Sequence, residues 1–117
     1  MQFLLMIYED EQRFVRMSED EGRQIMGEYG RFSQSIKDSG HYQAGAQLHP
    51  TKTAATVRVR DGKPMLTDGP FAETREQLGG YYLIEAKDLD EAVAIAARIP
   101  SARMGSIEVR PVFPPHV

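Results

Sequence analysis

The run Phe3-Leu4-Leu5-Met6-Ile7 places five apolar residues in a row near the start of the chain. A continuous apolar run of this length is typical of a strand that is buried on both faces. The run is too short to cross a bilayer, and no basic segment precedes it as in a signal peptide. We therefore predict a central strand over residues 2–8, and we expect no contact with a membrane.

The composition narrows the class of protein further. A length of 117 residues is that of one domain. The 14 basic and 17 acidic side chains give a net charge of −3, which argues against a nucleic-acid partner because phosphate binding relies on clustered cations. The absence of cysteine excludes disulfides, thiol catalysis and cysteine-ligated metal centres. We expect one cytoplasmic domain over residues 1–112, followed by an extended, proline-containing tail over 113–117.

Two segments have the pattern of amphipathic helices. Ser18 and Glu21 have the spacing of a capping box, and apolar residues at helical spacing follow them, so we predict a helix over residues 18–39. Asp88 and Glu91 repeat the capping pattern ahead of a second helix over 89–99, which Pro100 should end. The predicted buried side of this second helix contains Ala92, Val93, Ala96 and Ile99.

The remaining periodic segments predict strands. They cover residues 41–48, 55–60, 63–67, 81–86 and 106–112, with a loop or one helical turn over 72–78. Asp61-Gly62 is a typical two-residue hairpin turn between the strands at 55–60 and 63–67. The resulting order is β-α-β-(hairpin)-β-α-β. With right-handed crossovers, this order gives an α+β fold of the ferredoxin-like type, with both helices on one face of an antiparallel sheet.

Alternation within the strand at 55–60 indicates that the other sheet face needs a partner. Val57 and Val59 lie on one face of this strand, and Arg58 and Arg60 lie on the other. If the valines face the helices, the arginines project from the uncovered face of the sheet. We expect a second copy of the chain to cover that face and to leave a cleft for a small molecule between the two sheets.

The segment TDGPFAETREQLGGYY at residues 67–82 resembles a known family signature. The usual form, DGPFAETKEQLGGYYL, is that of the DGPF branch of the YCII-related family, and Arg75 stands where that form has lysine. The strands at 3–8, 55–60 and 107–112 are similar to the family as well. The resemblance implies a homodimer, in which two ferredoxin-like sheets form a dimeric α+β barrel.

The resemblance also implies two hypotheses about function. Related YCII proteins are proposed to use a histidine–aspartate pair as an acid–base dyad, which favours a cofactor-free enzyme. DGPF proteins are often encoded beside extracytoplasmic-function sigma factors, which favours a non-catalytic ligand-binding or accessory module.

Asp68 and His49 are the candidate proton-transfer groups. His49 ends a predicted strand, and histidine titrates near neutral pH. The alternatives are that Asp68 caps its own turn and that His49 is structural or faces solvent. Together with Glu73, these two side chains would form a metal site only if folding brought all three together, and we predict no metal or other cofactor.

Five further residues are candidate ligand-binding groups. Arg58 and Tyr8 lie on predicted strands and would orient a ligand, although a cross-strand charge pair and a core tyrosine are the alternatives. Phe71 is either a wall that stacks on a ligand or a core residue. Glu73 and Arg75 would contact an anionic or polar ligand, or else form part of a solvated charged surface.

Overall fold

A computed structural model describes residues 1–114, so the end of the predicted tail, residues 115–117, lies outside the described residues. The strands are β1 (Gln2–Glu9), β2 (Tyr42–Gln47), β3 (Ala55–Arg60), β4 (Lys63–Asp68), β5 (Gln77–Glu85) and β6 (Ser106–Pro111). The helices are α1 (Glu11–Arg16), α2 (Glu19–Asp38) and α3 (Leu89–Ala96), with 3₁₀ turns at Thr51–Thr53 and Pro100–Arg103. The predicted α+β class is confirmed.

Four strands form an antiparallel sheet in the order β2-β5-β1-β6. Helices α2 and α3 contribute to a single hydrophobic core on one face of this sheet. The fully or largely buried core residues are Phe3, Leu5, Ile7, Phe32, Ile36, Tyr82, Ile84, Ala86, Ala92, Ile95, Ala96 and Ile99. Burial of this apolar surface is the main favourable term in folding.

Strand β1 is central in the sheet, but only one of its faces is buried. Burial alternates along it, so that Phe3, Leu5 and Ile7 are buried while Leu4 and Met6 are only half-buried. The prediction of burial on both faces was wrong for the single chain, because both core helices pack on the same side of the sheet. We call the other side the open sheet face.

The predicted hairpin is present, but it is separate from the main sheet. Within residues 1–114, strands β3 and β4 pair only with each other, and Asp61 and Gly62 have φ angles of 52° and 74°, as the two-residue turn requires. Residues 55–68 are named the hairpin arm below. The condition that Val57 and Val59 face the helices is not met, because the arm extends away from the core and leaves both valines exposed.

Helix α2 follows its prediction closely. The side chain of Ser18 accepts a hydrogen bond from the amide of Glu21, and the helix ends at Asp38.

No helix within residues 1–114 has the length and apolar character that spanning a bilayer requires.

Helix α3 is shorter than predicted, and α1 was not predicted. Helix α3 ends at Ala96, and Pro100 begins a 3₁₀ turn instead of ending the helix. Ile99 is buried as expected, but Val93 is 48 % exposed and Ile95 takes its place in the core. In this short helix, Ala92, Ile95 and Ala96 form the inward face at spacings of three and four residues.

Candidate functional site

A cavity of about 700 Å³ lies between the first two helices and the part of the sheet formed by β2 and β5. Its apolar wall includes Phe14 and Val15 of α1, and Ile25 and Met26 of α2. His49 lies at its edge, in the segment that connects β2 to the hairpin arm. A volume of this size and a mainly apolar wall are typical of small-molecule sites.

Glu9 is the one buried acidic side chain in the described part of the chain, residues 1–114. It ends β1, and the alternation that buries Ile7 also turns Glu9 toward the core side of the sheet. Glu9 lines the cavity and is 7 % exposed. Its Oε2 has no hydrogen-bond partner within residues 1–114. An unpaired carboxylate oxygen at such a position is costly in free energy, which makes it a candidate binding group.

The other oxygen of Glu9 belongs to a chain of hydrogen bonds. Ser101, in the 3₁₀ turn after α3, is fully buried and donates its hydroxyl proton to Glu9 Oε1. The Ser101 hydroxyl also bonds to the phenol of Tyr29, which lines the cavity from α2. Because the Ser101 proton is committed to Glu9, the Tyr29 phenol donates to Ser101 Oγ. The phenol oxygen of Tyr29 can therefore accept a further hydrogen bond from a group in the cavity.

Burial keeps Tyr29 neutral. Removal of the phenol from water raises its pKa to about 12, and the negative charge of Glu9 adds to this effect. A second phenol in the wall, that of Tyr82, bonds to the Ser33 hydroxyl at 2.7 Å, and burial raises its pKa as well. The phenols of Tyr29 and Tyr82 in the cavity wall are therefore both neutral.

Glu11 fixes the edge of the cavity near His49. Its two carboxylate oxygens accept hydrogen bonds from the amide and the hydroxyl of Thr51, at 2.7 and 2.9 Å. The amide of Glu11 donates to Gln77 Oε1 at 2.9 Å. Helix α1 is thus attached to the segment before the hairpin arm and to the start of β5.

Two glycines in the wall allow β2 and β5 to pack closely. A Cβ atom on Gly80 would lie 2.9 Å from the carbonyl oxygen of Ala46, and one on Gly45 would lie 2.9 Å from the Tyr82 ring. These glycines therefore permit the close pairing of β2 with β5. Gly45 in β2 and Gly80 in β5 are explained by this packing and do not indicate a phosphate-binding loop.

The structure places the two predicted proton-transfer groups in different parts of the chain. His49 lines the cavity with an exposed side chain. Asp68 is exposed at the end of β4, opposite Ala55, and does not line the cavity. No hydrogen bond joins them within the described residues, so their pairing as a dyad stays a prediction.

The five predicted ligand-binding residues also lie outside this cavity. Arg58 is exposed on the hairpin arm, and Tyr8 is half-buried on the open sheet face. Phe71, which is 81 % exposed, Glu73 and Arg75 lie in the loop between β4 and β5.

The described residues provide no evident metal site. No three acidic or histidine side chains of residues 1–114 lie close enough together to hold an ion. In particular, His49, Asp68 and Glu73 are not brought together.

Sequence reasoning missed Glu9 and Ser101. Period-two alternation from Phe3 onward would have placed Glu9 on the same side of β1 as the core. Tyr29 lies within the helix predicted over residues 18–39, four residues after Ile25 and so on its apolar face. No local signal connects Ser101 with either residue, because their contact depends on how the turn after α3 packs against β1 and α2.

Comparison with known proteins gives a family match along the whole described chain. Residues 1–115 match the model of the YCII-related domain. A curated relative from Rhizobium meliloti (strain 1021) is 38 % identical over 114 residues, which cover 96 % of this chain and 92 % of the relative. That relative is described as an uncharacterised protein.

Proposed function

The chain belongs to the YCII-related domain family, and from this premise we propose that it binds a small molecule and transfers protons to and from it without a cofactor. The observation that carries the proposal is the buried carboxyl group of Glu9 beside the cavity, with one oxygen unpaired and the other linked through Ser101 to Tyr29. The proposal assigns to Glu9 the role that sequence reasoning gave to Asp68.

The hydrogen-bond chain provides a path for a proton. A ligand group placed against Tyr29 would give its proton to the phenol oxygen, while Tyr29 passes its own proton to Ser101 and Ser101 passes one to Glu9. Glu9 then carries the proton, and the ligand carries the negative charge. Tyr29 and Ser101 stay neutral throughout, which suits a phenol whose pKa is raised to about 12. Return of the proton by the same path completes an isomerisation or an exchange.

We further propose that the protein is a homodimer of the DGPF branch with a ferredoxin-like subunit. The segment Asp68-Gly69-Pro70-Phe71 supports the branch, and the strand order β2-β5-β1-β6 with α2 and α3 on one face supports the subunit fold. The open sheet face supports the dimer and the dimeric barrel, since the half-buried Leu4 and Met6 lack a cover in the single chain.

Binding of 2-naphthol and of its methyl ether tests the polar group in the cavity. The two probes share an apolar body, but only the naphthol has a proton to donate. The naphthol can donate to the unpaired Glu9 Oε2, and a hydrogen bond to a charged group contributes about 1.5–3 kcal/mol, so we expect the naphthol to bind at least tenfold more tightly. Replacement of the acceptor in Glu9→Gln, or of the phenol in Tyr29→Phe, should reduce this preference. NMR titration of each variant measures it.

Asp90→Asn is the matched control, because it removes the same charge from an exposed position of α3 outside the cavity. This variant should retain the full preference for the naphthol. Equal affinity for both probes in the unmodified protein, or an unchanged preference in Glu9→Gln and Tyr29→Phe, would contradict the proposed site.

Hydrogen exchange into 2-tetralone separates catalysis from simple binding. This ketone has the size of 2-naphthol, and the carbon between its carbonyl and its aromatic ring loses a proton reversibly. We expect the protein to accelerate deuterium incorporation in D₂O. In Glu9→Gln the acceleration should be about 100-fold smaller, a factor within the usual range for general acid–base catalysis. Binding without any acceleration would instead favour the non-catalytic module.

A further inference from the structure

The hairpin arm has one apolar and one basic face. Its register pairs Val57 with Leu66 on one face, and pairs Arg58 with Met65 on the opposite face. Val57 is 62 % exposed and Leu66 is 70 % exposed. Contiguous apolar residues on a protruding hairpin mark an interaction surface, because a soluble protein rarely leaves such a patch in water.

The arm stands apart from the body of the molecule. The radius of gyration is 16.3 Å, whereas a compact chain of this length has a value of about 13 Å. No core residue lies between Ile36 and Tyr82, and the backbone and side-chain hydrogen bonds of β3 and β4 stay almost entirely within residues 54–69. A two-stranded hairpin without packing partners is marginally stable in water. The arm therefore needs a surface to pack on.

The open sheet face of the same chain provides an apolar surface of the required kind. Leu4 pairs with Leu83 at the centre of this face, and Met6 pairs with Tyr81 beside them. All four side chains are half-buried, and none of them belongs to the core to which α2 and α3 contribute. An apolar arm and an apolar sheet face on one chain can satisfy each other in a two-fold symmetric pair, in which the same contact occurs twice.

Charge also favours contact between the arm and the body of another copy over contact between two arms. The arm holds three basic and two acidic side chains, which gives it a formal charge of +1. The rest of the chain holds 11 basic and 15 acidic side chains, which gives a charge of −4. Opposite net charges draw the arm toward the body of a second molecule.

We propose that the arm docks with the face containing Val57 and Leu66 on the open sheet face of a second copy of this chain, and that the second arm does so in return. This inference rests on the proposed homodimer and names the element that holds it together. Thr51, four residues before the hairpin arm, and Gln77, nine residues after it, line the cavity, so the docked arms would also fix the edges of the two cavities.

Neighbouring residues of β4 provide a matched pair of variants. Leu66→Gln changes the docking face, and Met65→Gln makes a similar change on the opposite face, where the side chain is 53 % exposed. We expect sedimentation velocity to show at least a tenfold weaker dimer for Leu66→Gln and less than a twofold change for Met65→Gln. Equal effects of the two changes, or a monomeric unmodified protein at micromolar concentration, would overturn the docking.

Disulfide cross-linking locates the contact, because the chain has no cysteine of its own. Leu66→Cys and Leu83→Cys chains, one of them with a mass tag, are mixed and oxidised. A mixed covalent dimer is expected, and Met65→Cys in place of Leu66→Cys should form much less of it. If Leu66→Gln remained dimeric and the cysteine variants formed no mixed cross-link, the arm contact would be overturned, but the homodimer would stand.

Anionic phospholipid vesicles test whether the apolar face of the hairpin arm binds a membrane surface instead of a second copy. We expect the unmodified protein to remain in the supernatant when vesicles of phosphatidylglycerol and phosphatidylcholine are sedimented. If the unmodified protein sedimented with the vesicles and Leu66→Gln did not, docking on a second copy would be overturned.

Discussion

Glu91 connects three segments of the fold through one carboxylate. It accepts hydrogen bonds from the amide of Lys87 and from His41 Nε2, both at 3.1 Å, while His41 Nδ1 bonds to Ser39 at 2.6 Å. The start of α3 is thereby joined to the end of α2 and the start of β2. The Lys87 amide and then His41 hold the pKa of Glu91 below its usual value of 4.5.

The lowered pKa of Glu91 predicts a pH-dependent effect of Glu91→Gln. A carboxyl group whose folded pKa is depressed stabilises the fold above its unfolded pKa, and this stability is lost as the pH falls through the folded pKa. Urea unfolding should therefore show Glu91→Gln to be less stable than the unmodified protein at pH 7. The difference should shrink well below pH 4.5. Glu73→Gln should show no such trend, and a pH-independent loss in Glu91→Gln would contradict the argument.

Helix α1 is the element most dependent on tertiary contacts. It is six residues long and contains no buried residue, so its own hydrogen bonds cannot hold it firmly. The bonds from Glu11 to Thr51 and Gln77 fix it at the edge of the cavity. This dependence also explains why sequence reasoning missed the helix, since it has no apolar period.

Removal of the Glu11 side chain should loosen this edge. We expect Glu11→Ala to increase amide hydrogen exchange at Thr51 at least tenfold, because the charged acceptor of that amide is lost. Exchange of the core amides in β1 should not change. Mass spectrometry of peptic fragments measures both. Gln12→Ala is the control on the same helix, and an equal effect of that variant would contradict the role of Glu11.

Most elements could be predicted where local chemistry determines them. Ser18 and Asp88 accept hydrogen bonds from amides three residues later, as their spacing required, and Asp61-Gly62 formed its turn. The errors arose where neighbours decide the outcome. The apolar run of β1 does not show how many of its faces are covered, and the alternation in β3 does not show that this strand leaves the main sheet.

At the scale of the whole molecule, the site was less predictable than the fold. Glu9, Tyr29 and Ser101 are far apart in the sequence and meet only when β1, α2 and the turn after α3 pack together. Asp68 and His49 attracted attention because of their chemistry and the family signature. The sequence around Asp68 contains no sign that its strand extends away from the cavity.

The arm should be dispensable for folding of the body. None of the core residues lies within residues 55–68. We therefore expect a variant in which a short glycine linker replaces residues 56–67 to have a free energy of unfolding within about 1 kcal/mol of that of Leu66→Gln. Leu66→Gln is the reference because its dimer is weakened as well. X-ray scattering should show a radius of gyration well below the 16.3 Å of the complete chain. Loss of cooperative unfolding would contradict this division of the chain.

Strand β1 serves two surfaces at once, which restricts how the length of the chain can change in evolution. Insertion or deletion of one residue inside β1 would exchange its two faces, because side chains alternate along a strand. If the start of the strand keeps its register, Glu9 leaves the cavity; if the end keeps it, Leu4 replaces a core residue. The turn at Asp61-Gly62 has no such constraint, since residues added there lengthen only the arm. We expect natural variation in length to occur at that turn and to be absent from β1.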